Sequence, residues 1–488
     1  MTPSARLAAA ASVLDSIAQG RAQAEVVLKA WGAANRYAGS KDRRAVADRV
    51  YRVLRARGRL VWAMGGREDG RALVIGSLSL IDGLSLEEIE ALHSGDGYGP
   101  RPLSKQERAR ITAGEGELPG WVAAGLPEFV VEDFKTIFGD RWSEEARELM
   151  APRAPIDLRV NTAKAPVEAV LAELAAAGLT PEPTPWSAAG LRLASEPPPN
   201  VQALEAFKAG RIEIQDEGSQ IVTWLAGAGL DFTPDSIVID YCAGGGGKTL
   251  ALAQLMSPSP PAGEGGGRRP TDEGSRGWSP AGSDNLLVED GATPHPSRSA
   301  AHLLPQGEKG ANLIACDVVQ KRLDNIRPRL QRAGVAADLR LIGQNGGGVE
   351  EFNGKADLVF VDAPCSGSGT WRRRPEDAWR LKPDEVERLH GLQLRILGQA
   401  AQLVKPGGRL VYVTCSMLSA ENEATTAAFE AANPQFQPLP VAQAVQTETL
   451  TDAARVRLTE LADGHRLRMS PGTTNTDGFF VALYERAA

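Results

Sequence analysis

Ile237-Val-Ile-Asp240-Tyr-Cys242-Ala243-Gly244-Gly245-Gly246-Gly247-Lys248-Thr249 reads as a short apolar strand that ends on an acid and turns through four glycines into a helix. Glycines let a backbone approach a ligand closely, and a helix N-terminus favours negative groups. Two common phosphate-binding turns do not fit. A P-loop needs glycine five residues before Gly247, where this chain has Cys242. A dinucleotide fingerprint needs glycine where Thr249 and Leu250 stand. The turn points to another nucleotide-like ligand, with a ligand-free strand–helix turn as the alternative.

The residues on either side extend the pattern. Leu313–Asp317, Leu339–Ile342, Leu358–Asp362, Leu410–Val413 and Phe479–Leu483 are further strand-like apolar runs, separated by helical periodicity. Continuous apolar strands alternating with helices signal a parallel sheet covered on both faces, here a doubly wound α/β domain over 213–488. Its ligands should gather at the strand carboxyl ends. The stretch 257–310, rich in Pro, Gly, Ser and Arg, has no apolar period and reads as a disordered or loosely ordered insertion. It interrupts the return from the first helix to the second strand, away from the carboxyl ends, where it costs little closure entropy.

Upstream, residues 5–64 look helical, with Val46, Val50, Val53 and Leu54 at helical spacing and Gly20, Gly39 and Gly58 as punctuation. Residues 70–150 continue as helices and loops, giving an all-helical unit over 1–150. A strand at Ile156–Asn161, a helix from Pro166 to Ala177 and a Pro-rich stretch around a short strand at Leu191–Leu193 suggest a small α+β module over 151–212.

Bulk properties narrow the classes. A chain of 488 residues, 42% hydrophobic and 24% charged, suits two to four soluble domains. No apolar run approaches the ~20 residues of a membrane span, and Met1–Gly20 has no signal-peptide pattern, so a cytoplasmic location is expected. Four cysteines make no disulfide framework, and with no CxxC pair and five scattered histidines no metal site is expected. A monomer is the default. The net charge of −7 argues against a nucleic-acid partner, but residues 36–59 hold nine basic residues against two acidic, a local charge of +7. A second basic cluster is Arg372, Arg373 and Arg374. A solvated helix face is the bland reading of the first patch.

Three strand ends carry the chemistry. Asp317 closes the strand after the glycine turn, where a carboxylate can accept both hydroxyls of a ribose or merely cap a helix. Asp357-Leu-Val-Phe-Val-Asp362-Ala-Pro364-Cys365-Ser366 puts an acid and a thiol just past another strand. Lys405-Pro-Gly-Gly-Arg-Leu410-Val-Tyr-Val-Thr414-Cys415-Ser416 ends a third on a second thiol. Either cysteine alone could be packing; two at the ligand edge of one sheet, beside Asp362, read as a reaction centre. Spacing alone does not say which of them is the nucleophile.

The pairing of Pro364-Cys365-Ser366 with Thr414-Cys415-Ser416 resembles the Sun/Rsm-type RNA cytosine-5 methyltransferases, most of all the bacterial branch acting on small-subunit ribosomal RNA. Pro155–Asn161, Ile214–Gln220 and Thr476–Ala482 are similar to that family too, and Ser40–Arg44 with Val50–Arg55 resembles its NusB-like RNA-binding domain. The resemblance implies a Rossmann-like class I methyltransferase domain, preceded by an RRM-like α+β module and a NusB-like helical domain. It implies S-adenosylmethionine as cofactor, held by Cys242, Ala243, Gly244, Gly245, Gly246, Gly247 and Lys248 at its methionine end and by Asp317 at its ribose. Arg322, Asp362 and, for adenine, Asn345 complete the implied set. Cys415 is then the nucleophile that adds to carbon 6, Cys365 the helper in its release, and Asp362 the partner of the cytosine amino edge. Arg372, Arg373 and Arg374 are placed to hold RNA phosphates. The chain departs from the family in having Gly244-Gly245 for Ala-Pro and Gln344-Asn345-Gly346 for an Asp before Gly. A DNA cytosine methyltransferase and a catalytically silent ribosome-assembly factor are the rival readings.

Overall fold

The computed structural model describes residues 1–150, 154–193, 199–257 and 312–488. The insertion expected at 257–310 lies, from residue 258 on, outside the described residues. Helices fill the N-terminal part: Pro3–Gln19, Ala24–Ala34, Ser40–Arg55, Arg57–Ala63, Gly70–Leu80, Leu86–Leu92 and Lys105–Ala113 bury one core that includes Leu14, Val46, Val50, Val53, Leu60 and Ile75. Three more, Gly120–Ala124, Val131–Phe138 and Trp142–Met150, pack on the C-terminal domain against Trp371, Val386 and Met417.

The middle module is a four-stranded antiparallel sheet of β1 Ile156–Val160, β2 Pro181–Pro183, β3 Gly190–Leu193 and β4 Ile212–Ile214, in the order β2-β3-β1-β4. The helix Val167–Ala176 packs on it through Val170 and Leu174. Sequence periodicity found the helix and the strands β1 and β3. It missed β2, where prolines hide an edge strand that needs few donors.

The C-terminal sheet holds β5 Ile237–Asp240, β6 Asn312–Asp317, β7 Asp338–Leu341, β8 Ala356–Asp362, β9 Val404–Thr414, β10 Phe436–Pro438, β11 Ala462–Asp463, β12 Arg466–Met469 and β13 Phe479–Arg486. β7, β6, β5, β8 and β9 are parallel neighbours in that order; β13 and β12 add antiparallel strands beyond β9. Alternate residues of each strand feed opposite cores. Val238, Leu358, Phe360, Val411 and Val413 face the wholly buried helix Glu217–Gly227, while Ile239, Val359, Val361, Leu410 and Tyr412 face the other side. Burial on both faces is why these strands read as unbroken apolar runs. The chain winds outward from β5 to β7 and then crosses back to β8, so the glycine turn after β5 sits where the winding reverses.

Gly58 was expected to punctuate a helix. It lies inside Arg57–Ala63 instead, and a Cβ there would stand 2.8 Å from the Trp379 ring. Its smallness admits a domain contact. The helix Pro375–Arg380 is the other half of that contact: Trp379 Nε1 donates to the Leu54 carbonyl at 2.8 Å and Arg380 to the Ile17 carbonyl at 2.7 Å. Glu376 accepts the Ala24 N–H at 2.8 Å, capping the helix Ala24–Ala34 from the other domain. The basic run is also smaller than its count. Arg49 and Arg52 share Asp82, Arg57 pairs with Glu68 and Arg59 with Glu115. Arg36, Lys41, Arg43 and Arg44 stay exposed.

Removing the Trp379 ring should cost about 2 kcal/mol, less than a core tryptophan because it is only partly buried. Trp379→Ala should lower the urea midpoint and split one unfolding transition into two. An unchanged, single transition would mean this contact does not couple the domains.

Candidate active site

The glycine turn is built by two buried acids, a third that is partly exposed, and one arginine. Asp240 ends β5 fully buried, and its Oδ2 accepts the Thr249 hydroxyl at 2.6 Å from the first turn of the helix Gly247–Leu255. Its Oδ1 is buried and has no hydrogen-bond partner. Burial pushes the Asp240 carboxyl up to about 7, against the opposing bond from Thr249. Asp317 accepts the Gly244 N–H at 3.1 Å and the Val319 N–H at 2.8 Å, with the Arg322 guanidinium 3.6 Å away. Gly246, at φ 80°, caps the helix start; a Cβ there would come within 2.9 Å of Ile326. Cys242 faces the same space, but burial and then Asp240 push its thiol well up, so it is an inert wall.

Arg329 is the residue that sequence reasoning missed here. It projects from the helix Gln320–Ala333, donates to the Gly245 carbonyl and pairs with Glu213 at 3.1 Å. The guanidinium lies 3.4 Å from where a Gly245 Cβ would be. Where the resembling family stiffens this turn with Ala-Pro, a side chain from the next helix props the glycines. Only the glycine pair, an unexplained loss of stiffness, could have signalled it.

The third acid, Asp362, ends β8 and holds Lys248 Nζ at 2.7 Å. Burial opposes charge on Lys248, but Asp362 outweighs it and Cys415 adds to it, so the ammonium is held above its ordinary range. Asp240, Ala243, Gly245, Lys248, Arg329 and Asp362 all line one open pocket of 430 Å³, together with Arg373 and Asp477. Asp317, Arg322 and Asn345 are not among its lining residues. Asn345 is exposed in the loop after β7, its Oδ1 taking the Gly347 N–H at 3.2 Å.

The two strand-end thiols meet. Cys365 Sγ and Cys415 Sγ are 3.3 Å apart, each partly exposed. The hydrogen bond to Cys415, and then burial, push the Cys365 thiol well up, so Cys365 holds its proton; either sulfur can be the donor in the contact between them. When Cys365 donates, an electron pair on Cys415 has a thiol donor on one side and the Lys248 ammonium near by. That is the setting of an activated sulfur nucleophile.

The three arginines behave differently from expectation. Arg372 is 4% exposed and bonds Asp477 at 2.6 Å and Asp216 at 3.3 Å; Arg373 holds the same two acids at 2.5 and 2.9 Å. Arg372 is buried in these pairs, Arg373 is paired but 32% exposed, and Arg374 is exposed. Two acids distant in sequence took the charges, and nothing local in the sequence reports that. Among the described residues, no cluster of three or more His, Cys, Asp or Glu could hold a metal, and no helix is long and apolar enough to cross a membrane.

Residues 288–485 match the family model described as 16S rRNA methyltransferase RsmB/F, and residues 126–200 match the RsmF/B-like ferredoxin-like domain. The chain is 28% identical over 362 residues to a Bacillus subtilis protein named probable ribosomal RNA small subunit methyltransferase B. That match covers 73% of this chain and 65% of the relative, just under two thirds of its length. The solved structure of PH0851 covers 100% of this chain and 99% of its own, with a TM-score of 0.68 at 22% identity, a likeness of fold. A methyltransferase homolog protein from Pyrococcus horikoshii covers 75% of this chain and 97% of its own, with a TM-score of 0.52 at 25% identity.

Arg372→Glu would set a third carboxylate beside Asp216 and Asp477 in a buried site and should cost about 3–5 kcal/mol. Arg374→Glu, on the surface, should stay within about 0.5 kcal/mol of the parent. Urea unfolding of both variants checks the division; equal effects would refute it.

Proposed function

We propose that the chain is a member of the RsmB/F methyltransferase family and that it methylates carbon 5 of a cytosine in small-subunit ribosomal RNA through a covalent bond to Cys415. The observation that carries this reading is the thiol pair at 3.3 Å beside the Lys248–Asp362 ion pair. A silent RNA-binding platform has no need of a desolvated lysine paired with an acid beside two apposed thiols.

S-adenosylmethionine, bound in the glycine-turn pocket, supplies an electrophilic methyl group. The pocket fits it on a point of its own: a cationic ligand group satisfies the buried, partnerless Oδ1 of Asp240. Gly244 and Asp317 offer a turn backbone and a strand-end carboxylate for the nucleoside part.

Carbon 5 of cytosine is a weak nucleophile. Cys415 adds to carbon 6, forming a sulfur–carbon bond and moving the ring electrons toward carbon 5 and the amidine edge. Asp362 accepts from the cytosine amino group and orients the base, and the Lys248 ammonium that it holds stabilises the displaced charge. After carbon 5 is methylated its proton leaves to solvent, the ring double bond re-forms and the Cys415–carbon bond breaks. Cys365, which keeps its proton, meets the departing sulfur with a hydrogen bond. The base must leave its stack to reach the cleft, and exposed Arg374, with Arg36, Lys41, Arg43 and Arg44 on the helical domain, offers charge for its backbone.

Methyl transfer from labelled S-adenosylmethionine to unmodified small-subunit ribosomal RNA tests the reading. Cys415→Ala should be inactive, and Cys365→Ala should accumulate a protein–RNA adduct. If Cys415→Ala still methylates while Cys365→Ala gives neither adduct nor product, the thiol roles are reversed. If the parent labels no RNA, the reaction is another one.

The pocket makes a second prediction, on cofactor binding by calorimetry. Below pH 7 Asp240, with its carboxyl pushed up to about 7, is protonated and cannot meet a cation. Cofactor affinity should therefore rise with pH through about 7, by up to roughly tenfold per unit below that point, and Asp240→Asn should abolish the slope. Arg329→Ala, which unprops the turn, should weaken binding about tenfold at every pH. A pH-independent affinity in the parent would sink the assignment of Asp240.

A further inference from the structure

The ladder between β8 and β9 runs to Asp362 opposite Val413, and its last bond joins the Ala363 N–H to the Val413 carbonyl at 2.9 Å. The next residue, Pro364, has no N–H with which to continue it. Both chains leave the sheet here carrying the two cysteines, and between them the backbone makes only one further bond, from the Gly369 N–H to the Cys415 carbonyl. Their sulfurs nevertheless stand 3.3 Å apart.

Ser366 and Ser368 meet Ser416 across the gap, and one carboxylate gathers these contacts. Glu421 is fully buried, in the loop before the helix Glu423–Ala432. Its Oε1 accepts the Ser366 N–H at 2.8 Å and Gln393 Nε2 at 3.0 Å. Its Oε2 accepts the Ser366 and Ser416 hydroxyls, each at 2.5 Å. Ser366 follows Cys365 and Ser416 follows Cys415, so one carboxylate grips the residue after each thiol. Gln393 also donates to the Pro364 carbonyl at 2.9 Å, and the Gly369 N–H donates to the Cys415 carbonyl at 2.9 Å.

The grip is itself anchored. Tyr412, inside β9, donates its hydroxyl to the Glu421 carbonyl at 2.6 Å. Asn422 accepts the Thr414 hydroxyl at 2.6 Å and donates to the Ser416 carbonyl at 2.9 Å. A buried carboxylate only accepts, and it is costly unless its lone pairs are met. Four donors converge on this one, three of them from the serines beside the thiols. A carboxylate is also the acceptor that can take two hydroxyls on one oxygen and two N–H groups on the other.

We infer that Glu421 is a positioning residue for the thiol pair: by holding Ser366 and Ser416 it sets the contact between Cys365 and Cys415 where the strand ladder has ended. Glu421 touches neither RNA nor cofactor and acts through the two loops. The inference rests on the proposed roles of Cys415 as nucleophile and Cys365 as the thiol that assists its release.

The test is single-turnover methylation at saturating RNA and cofactor, with binding constants and adduct trapping measured alongside. Glu421→Gln keeps the shape but reverses the hydroxyl bonds at one oxygen. It should slow the turnover about 10²-fold, the usual cost of a misplacement near 1 Å, with RNA and cofactor Kd unchanged. Ser366→Ala and Ser416→Ala should each slow it about tenfold, and they carry the test if Glu421→Gln does not fold. In a Cys365→Ala background, where there is no pair to register, adding Glu421→Gln should slow adduct formation far less than it slows the parent. A parental rate in Glu421→Gln overturns the inference, and so does an equal loss in both backgrounds. Parental rates in both serine variants overturn it as well. Failure of Cys365→Ala alone to trap an adduct falls on the proposed function instead, and the single-variant rates and binding constants then decide the role of Glu421.

Discussion

Two parallel strands, Ala356–Asp362 and Val404–Thr414, stay in register as far as Asp362 opposite Val413, and almost everything reactive in this chain is placed by where that register stops. Up to that point backbone hydrogen bonds and two apolar cores fix the strands to within the tolerance of close packing. Beyond it the chain has delivered an acid and two thiols to one edge, but with no ladder to hold them. Side chains take over the work of the sheet: Lys248 on Asp362, Glu421 on the serines beside the thiols, and Asn422 on Thr414 and Ser416. Such a site is as rigid as its hydrogen bonds are complete, so its buried polar groups are satisfied in depth rather than singly.

One exception to that completeness is informative. Asp240 has one oxygen fully used by Thr249 and the other buried and idle, in the pocket formed by the glycine turn. The Oε2 atoms of Glu217, Glu376 and Glu423 are buried and idle too, but none of those residues lines the pocket. Asp362 is partly exposed and has a built-in cation in Lys248, so it needs no ligand to hold its charge. Of two neighbouring acids, one has an idle oxygen and the other carries its own partner.

Most of the α/β architecture was legible because strands buried on both faces must be apolar throughout, and β5, β6, β7, β8, β9 and β13 all announced themselves that way. The glycine turn and both cysteines were legible for a different reason, since strand-end chemistry has few structural excuses. β2, β4, β10, β11 and β12 were not legible: each is four residues or fewer and needs little apolar sequence, and Pro181 and Pro183 mask one of them. Glu421 and Arg329 were illegible as well, because each acts across a distance in sequence that no local pattern records, 55 residues from Ser366 and 84 from Gly245. Arg372 and Arg373 misled for the same reason. A basic run looks like a surface until Asp216 and Asp477 arrive from 156 and 104 residues away to neutralise it.

Those arginines show how the modules are joined. The segment from Cys365 to Arg380 leaves β8, passes the thiol contact, and is then pinned twice. Arg372 and Arg373 tie it to Asp216, at the start of the helix that follows the small sheet, and to Asp477, just before β13. Glu376, Trp379 and Arg380 tie it to the N-terminal helices. Contacts from the helical domain, from the junction with the middle module and from the last strand of the sheet therefore converge on the stretch that also carries Cys365.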